Sequence, residues 1–329
     1  MCVFCNQRSI SGKNRFECEN VRRDIKEALS TIPKEYTVEI AYFGGSFTGI
    51  DRADMIHLLG IAQDFIDNPD KDSARICGIR MSTRPDYINP EIMDILHNYS
   101  VKTIELGLQS MDDEVLWLSR RGHTAADAEY ACALIKENGY ELVGQMMIGL
   151  PGSSIETEIM TARKICDMHA DGARIYPTVV FYETELANMA SRGEYKMLET
   201  EDAVKRSCAA LEIFEDRGVD CIRIGLCASD NLSDDSKVMG GANHPAIGEL
   251  VKGELYFNRL CRLIDRYLCE GDSHSIDVMS IDIPKGYTSL AIGQHGRNRE
   301  RLKQIYGIKN LKFCEKDISM PCIENGQIS

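Results

Sequence analysis

Short apolar runs alternate with longer amphipathic stretches along most of this chain. Five runs read as strands: residues 38–45, 74–83, 101–110, 140–150 and 171–180. Between them, apolar positions recur every three or four residues over 53–65, 90–98, 125–138 and 156–169, which is the spacing of one helix face. Asp51 and Thr124 stand where a helix N-cap accepts backbone N–H bonds, and Gly139 stands where a helix end takes left-handed backbone. Strand and helix alternating in this way predict a parallel sheet with crossover helices. Some strands read apolar on both faces, as buried parallel strands do. An open doubly wound sheet and a β/α barrel both satisfy this order.

Polar and glycine-rich residues gather at the C-terminal end of each predicted strand: "GGSFT", "STRPD", "LQS" and "GLPG". That edge is where parallel β/α folds build their sites. After Leu186 the pattern changes to a long helix over 201–217, a strand over 219–226 and a polar loop over 229–245. A helical stretch to 269, a strand over 275–283, a basic helix over 298–306 and a strand over 308–313 follow. The expected division is one domain over 1–244 and a small α/β domain over 245–329.

Composition narrows the classes. With 329 residues, 43% hydrophobic and 27% charged, the chain is ordinary globular material. It has no apolar run of about 18 residues, so no membrane span is expected. A net charge of -13 argues against attachment to nucleic acid or membrane by the whole surface. The charge is uneven: residues 285–312 carry seven basic side chains against one acid, Glu300. A solvated helix face is the bland reading of that run, and a phosphate-binding face is its rival. Most of the thirteen cysteines lie in helical or strand patterns, as small buried hydrophobes do. A reducing cytoplasm is the expected location.

Cys2 and Cys5 alone have ligand spacing, a C-x-x-C pair around Phe4 that makes half a metal site. Further on, "YFGGSFTGI" ends a strand in Gly44 and Gly45, where a ligand can approach backbone closely. The P-loop lysine is missing there, and G-x-G-x-x-G is not matched. The C-x-x-C pair, this glycine motif, "STRPDYI", "IELGLQSMDDEVL", "RRGHT", "MMIGLPG" and "ARIYPTVVFYETEL" together resemble the radical S-adenosylmethionine (SAM) superfamily. Within it, they resemble the radical-SAM half of the elongator catalytic-subunit family and its bacterial relatives. The resemblance covers about residues 1–250 and has no room for the acetyltransferase domain of the elongator subunit.

The resemblance implies a partial (β/α)6 barrel, a 4Fe–4S cluster, SAM as second cofactor and an external electron donor. It makes Cys2 and Cys5 cluster ligands and Phe4 the aromatic beside the cluster. Gly44, Gly45 and Ser46 would meet the SAM amino group, and Ser82, Thr83 and Arg84 the ribose and carboxylate. Glu105 and Gln109 would point into the same cleft, with Gly149 and Gly152 at the adenine side. Glu105, Arg174 and Tyr176 form the expected catalytic group. Each has a plainer alternative: Glu105 and Arg174 as ion-pair partners, Gly149 and Gly152 as turn glycines around Pro151. His123 reads as a capping or packing residue.

The family's first cluster cysteine, four residues before Cys2, is missing, as is the strand before it. The expectation is a chain that begins at an internal methionine of a longer protein and by itself holds the cluster poorly. In the C-terminal segment, Gly293 and Gly296 resemble the G-x-x-G loop of KH modules, with Arg297, Arg299 and Arg301 as RNA contacts; a structural glycine turn is the plainer alternative. tRNA or another RNA is the expected partner and substrate. A non-catalytic RNA-binding or scaffold protein on a cluster-deficient barrel, and an enzyme with a small-molecule substrate, are the alternatives.

Overall fold

The structure, a computed structural model, describes residues 2–5, 20–70, 73–226, 234, 236–270 and 277–327. Of the polar loop expected over 229–245, residues 229–233 and 235 lie outside the described residues. The first elements are α1 (Val21–Ser30), β1 (Thr37–Tyr42), α2 (Arg52–Asp67), β2 (Arg75–Thr83) and α3 (Pro90–Leu96). Next come β3 (Val101–Gln109), α4 (Asp113–Leu118), α5 (Ala125–Glu137), β4 (Glu141–Ile148), α6 (Ile155–Asp167) and β5 (Gly172–Pro177). Local chemistry fixes the helix starts. The Asp51 carboxylate accepts from Ala53 and Asp54 N–H, and Thr124 and Ser154 form capping boxes with Asp127 and Thr157.

After β5 the chain forms β6 (Val179–Phe181), α7 (Glu185–Ser191), α8 (Thr200–Asp216), β7 (Asp220–Ile224) and β8 (Val238–Gly241). The strand expected over 171–180 is therefore two strands. Thr178 ends the first: its N–H and its hydroxyl both donate to Ile148 O, at 2.9 and 2.6 Å, so the backbone turns away from the next ladder position. β6 then pairs antiparallel with β8.

Six strands form one parallel, curled half-barrel sheet in the order β1-β2-β3-β4-β5-β7. Alternation along each strand divides its two faces. Ile79, Met81, Ile104, Leu106, Leu108, Met146 and Ile175 are fully buried and form the apolar layer, each contributing about 1.5–3 kcal/mol. Gly144 lets a helix approach this layer, because a Cβ there would lie 2.8 Å from the Ile165 side chain of α6. The alternate positions, Arg80, Glu105, Gln145 and Arg174, bond to one another on the opposite face.

The chain divides into two compact units, Met1–Glu199 with Ile213–Asn243, and Thr200–Glu212 with His244–Ser329. The second unit contains α9 (Ile247–Glu270), β9 (Val278–Pro284), α10 (Thr288–Ile292), α11 (Arg297–Tyr306), β10 (Asn310–Lys316) and β11 (Cys322–Gln327). Its sheet order is β10-β9-β11, with β10 parallel and β11 antiparallel to β9. Tyr256, Phe257, Leu260, Met279, Ile281 and Leu302 lie in its core. Among the described residues no helix is long and apolar enough to cross a membrane.

Candidate cluster and cofactor site

Because the six strands are parallel, their C-terminal ends share one edge, and the expected site residues gather there and just below it. A charged belt crosses the sheet below the edge. Glu105 is fully buried on β3, and each of its oxygens accepts two hydrogen bonds. Oε1 accepts from Arg80 Nη1 and Arg174 Nη2, both at 2.9 Å. Oε2 accepts from Arg174 Nε at 2.7 Å and Gln145 Nε2 at 2.8 Å. Arg80 also reaches Glu39 at 2.8 Å. Burial raises the Glu105 pKa, but the Arg174 and Arg80 bonds outweigh burial and hold it below the ordinary carboxylate value. Glu105 is thus a permanently charged clamp that sets the direction of Arg174. The Arg174 guanidinium lies 5.7 Å from the exposed Phe43 ring. Burial raises the pKa of Tyr176, with Arg174 opposing it.

The strand-end residues differ in how much they leave open. Gly44 has φ 103°, and a Cβ on Gly44 or Gly45 would meet nothing within 4 Å, so this backbone faces open space. Ser46 accepts from Gly49 N–H to start the next turn. Thr83 is occupied, its hydroxyl 2.6 Å from that of Thr48, while Ser82 is half-buried. Arg84 donates to both Asp86 oxygens, at 2.9 and 2.7 Å, and to the Arg121 carbonyl at 2.6 Å. Gln109 is nearly buried with φ 68°, and its Oε1 has no partner. Gly149 and Gly152 both serve close packing in the turn, since a Cβ would lie 2.7 Å from Leu198 and 2.5 Å from Leu118.

The Cys2–Cys5 turn closes with Cys5 N–H donating to Cys2 O at 3.3 Å. Val3 seats it: Val3 N–H donates to Ser119 O at 3.2 Å, and Leu186 N–H donates to Val3 O at 2.8 Å. The Val3 side chain is 1% exposed, packed with Val180, Leu186 and Ala187. Arg121, which sequence reasoning missed, lies behind this turn. Its Nη1 donates to Cys2 Sγ at 3.1 Å and its Nη2 to Gly107 O at 2.6 Å. Its guanidinium also lies 5.9 Å from the Phe4 ring centroid, and its Nε has no partner. Burial pushes the Arg121 pKa down, while Cys2 pushes it back up. Burial and the Arg121 charge push His123 down to about 4, so its ring is neutral. The only signal for Arg121 in the sequence was its place in "RRGHT".

These residues fit an anionic cluster at two of its corners. Cys2 and Cys5 form no disulfide, and a buried cation with an unpartnered Nε stands behind the first. Among the described residues no group of three His, Cys, Asp or Glu side chains could hold a metal, so the turn offers two thiolates.

The residues expected to touch RNA belong to the second unit. Gly293 and Gly296 have φ 74° and 80°, and a Cβ on Gly293 would lie 2.9 Å from Asn298 N. The glycines are therefore required by the turn itself. Arg297 pairs with Glu201 at 2.8 Å, Arg301 with Glu254 at 3.0 Å, and Arg299 lies 3.5 Å from Glu300. Much of the basic helix is neutralised within its own unit.

Comparison with known proteins bears on the family and the fold. Residues 1–165 match the radical SAM superfamily and residues 170–257 the radical SAM C-terminal domain. The tRNA uridine(34) acetyltransferase of Methanocaldococcus infernus is 35% identical over 134 residues, which is 40% of this chain and 25% of that protein. Elongator complex protein 3 of Saccharomyces cerevisiae is 32% identical over 174 residues, 48% of this chain and 31% of that one. The chain thus spans about a quarter to a third of these relatives. The solved structure of archaeal Methanocaldococcus infernus Elp3 with an N-terminal deletion (1–46) superposes with a TM-score of 0.62 at 26% identity, covering 72% of this chain and 58% of that one. Fold, strand-end residues and these matches agree: the chain belongs to the radical SAM superfamily of enzymes, among the relatives of Elp3.

Proposed function

We propose that this chain binds a 4Fe–4S cluster and S-adenosylmethionine and modifies tRNA by radical chemistry. The observation that supports this reading most is the seating of a C-x-x-C turn on a buried arginine at the C-terminal edge of a parallel sheet. When bound, the cluster and SAM would supply hydrogen-atom abstraction, the chemistry of a 5′-deoxyadenosyl radical. The chain's own residues bind, orient and exclude water. Cys2 and Cys5 would hold cluster irons, with Phe4 covering one side. Gly44, Gly45 and Ser46 offer backbone to the SAM amino group without side-chain obstruction. Ser82, Arg84 and Gln109 offer polar atoms to the ribose and carboxylate. Glu105 acts through Arg174, which with Tyr176 faces the substrate side of the belt. The tRNA assignment rests on the relatives, which are described as tRNA uridine(34) acetyltransferases.

The test is anaerobic reconstitution with iron and sulfide, reduction in the presence of SAM, and chromatography for 5′-deoxyadenosine, with and without total tRNA. Product is expected, and more of it with tRNA. A loaded cluster that leaves SAM intact would sink the enzymatic reading. Product unaffected by tRNA, with no tRNA retained in filter binding, would redirect the substrate to a small molecule.

A further inference from the structure

Arg121 is a buried guanidinium with no carboxylate at ion-pair distance among the described residues, and it is 5% exposed. The neighbouring carboxylate of Asp86 is engaged by Arg84, which bonds both of its oxygens. Arg84 is a second cation pressed against the Arg121 carbonyl. What Arg121 does touch is a thiol, a backbone carbonyl and an aromatic ring, with one N–H left over. An unpaired charge in a dry site costs several kcal/mol, and folds remove such charges unless an anion belongs beside them. Elsewhere in the same sheet the rule is obeyed, since Glu105 pairs with two arginines.

We infer that Arg121 is a positioning residue for the cluster: it is the counter-charge and hydrogen-bond donor for the Cys2 corner. This rests on the radical SAM reading given above. Two roles follow. The Nη1 bond fixes the Cys2 Sγ direction while Nη2, anchored on Gly107 O, fixes the guanidinium itself. A positive charge and a donor at a cluster sulfur favour the more negative, reduced form, so Arg121 raises the reduction potential.

The test uses Arg121→Met, which removes the charge, Arg121→Lys, which keeps it, and Arg121→Gln, which keeps a donor for Gly107 O. Thermal melting of cluster-free protein is the first arm. Arg121→Met and Arg121→Gln should melt at or above the wild-type temperature, because the removed charge faces no carboxylate among the described residues. A lower melting temperature for both would overturn the inference by making Arg121 a prop of the fold. The second arm measures iron per chain and the midpoint potential after reconstitution. Arg121→Met should lose iron and shift the potential downward, with Arg121→Lys between it and wild type. Equal potentials in all three would overturn it. A wild-type chain that takes up no iron would overturn cluster binding by the two thiolates of this chain, and the melting arm would still decide the role of Arg121.

Discussion

Two charged regions lie on the same sheet and are built by opposite rules. In the belt, Glu105, Arg80, Arg174, Gln145 and Glu39 hold one another, and every oxygen of Glu105 is bonded. At the strand-end corner, Arg121 has a thiol where the belt would have a carboxylate. The belt is complete by itself, and its charge serves the fold and the direction of Arg174. Among the described residues no carboxylate pairs with the Arg121 charge at this corner. A buried charge without a partner is a better guide to a ligand than a buried charge with one.

The largest test of this contrast is Glu105→Gln. It leaves Arg80 and Arg174 without their shared anion and should lower unfolding stability by about 3–5 kcal/mol, read from denaturant titration. The same variant changes the acid limb. The folded Glu105 pKa lies below its ordinary 4.5, so its contribution is fully present above pH 4.5 and is lost as pH falls through the folded value. The variant should lack that loss. A wild-type acid limb in Glu105→Gln would break the comparison.

His123 gives the next effect. Its folded pKa of about 4 lies below its ordinary 6.5, so between these values the unfolded chain takes a proton that the folded chain refuses. Stability should be level above pH 6.5 and fall by up to about 3 kcal/mol as pH drops to 4. In His123→Asn the profile should flatten in that window, measured by urea midpoints across pH.

Asp86→Asn sharpens the comparison within the corner. It takes away the partner of Arg84 and leaves two cations against each other, an expected loss of about 1–2 kcal/mol. Arg121→Met is the smallest and has the opposite sign: about 1 kcal/mol gained in the cluster-free protein. If both Asp86→Asn and Arg121→Met destabilised alike, the two regions would be governed by one rule.

Much of the barrel was legible in the sequence, because period-2 and period-3.6 patterns are local and the caps at Asp51 and Thr124 announce themselves within three residues. The break at Thr178 was not, since "YPTVVF" reads as continuous strand and only the contact with Ile148 ends it. β11 also escaped, its pairing with β9 being visible only in three dimensions. Among the candidate residues, Glu105, Gln109 and Arg174 could be placed on their strands from the sequence, Gln109 at the end of β3. Arg121 could not, because its contact with Cys2 spans 119 positions. The pairing of the basic run over 285–312 was hidden for the same reason: Glu201 and Glu254, which pair with two of its arginines, come from distant helices.

Val3 carries one more consequence. This residue, between Cys2 and Phe4, is a core residue held by backbone bonds from both sides. The position of the cysteine pair therefore depends on the same packing that buries Val3 against Val180, Leu186 and Ala187.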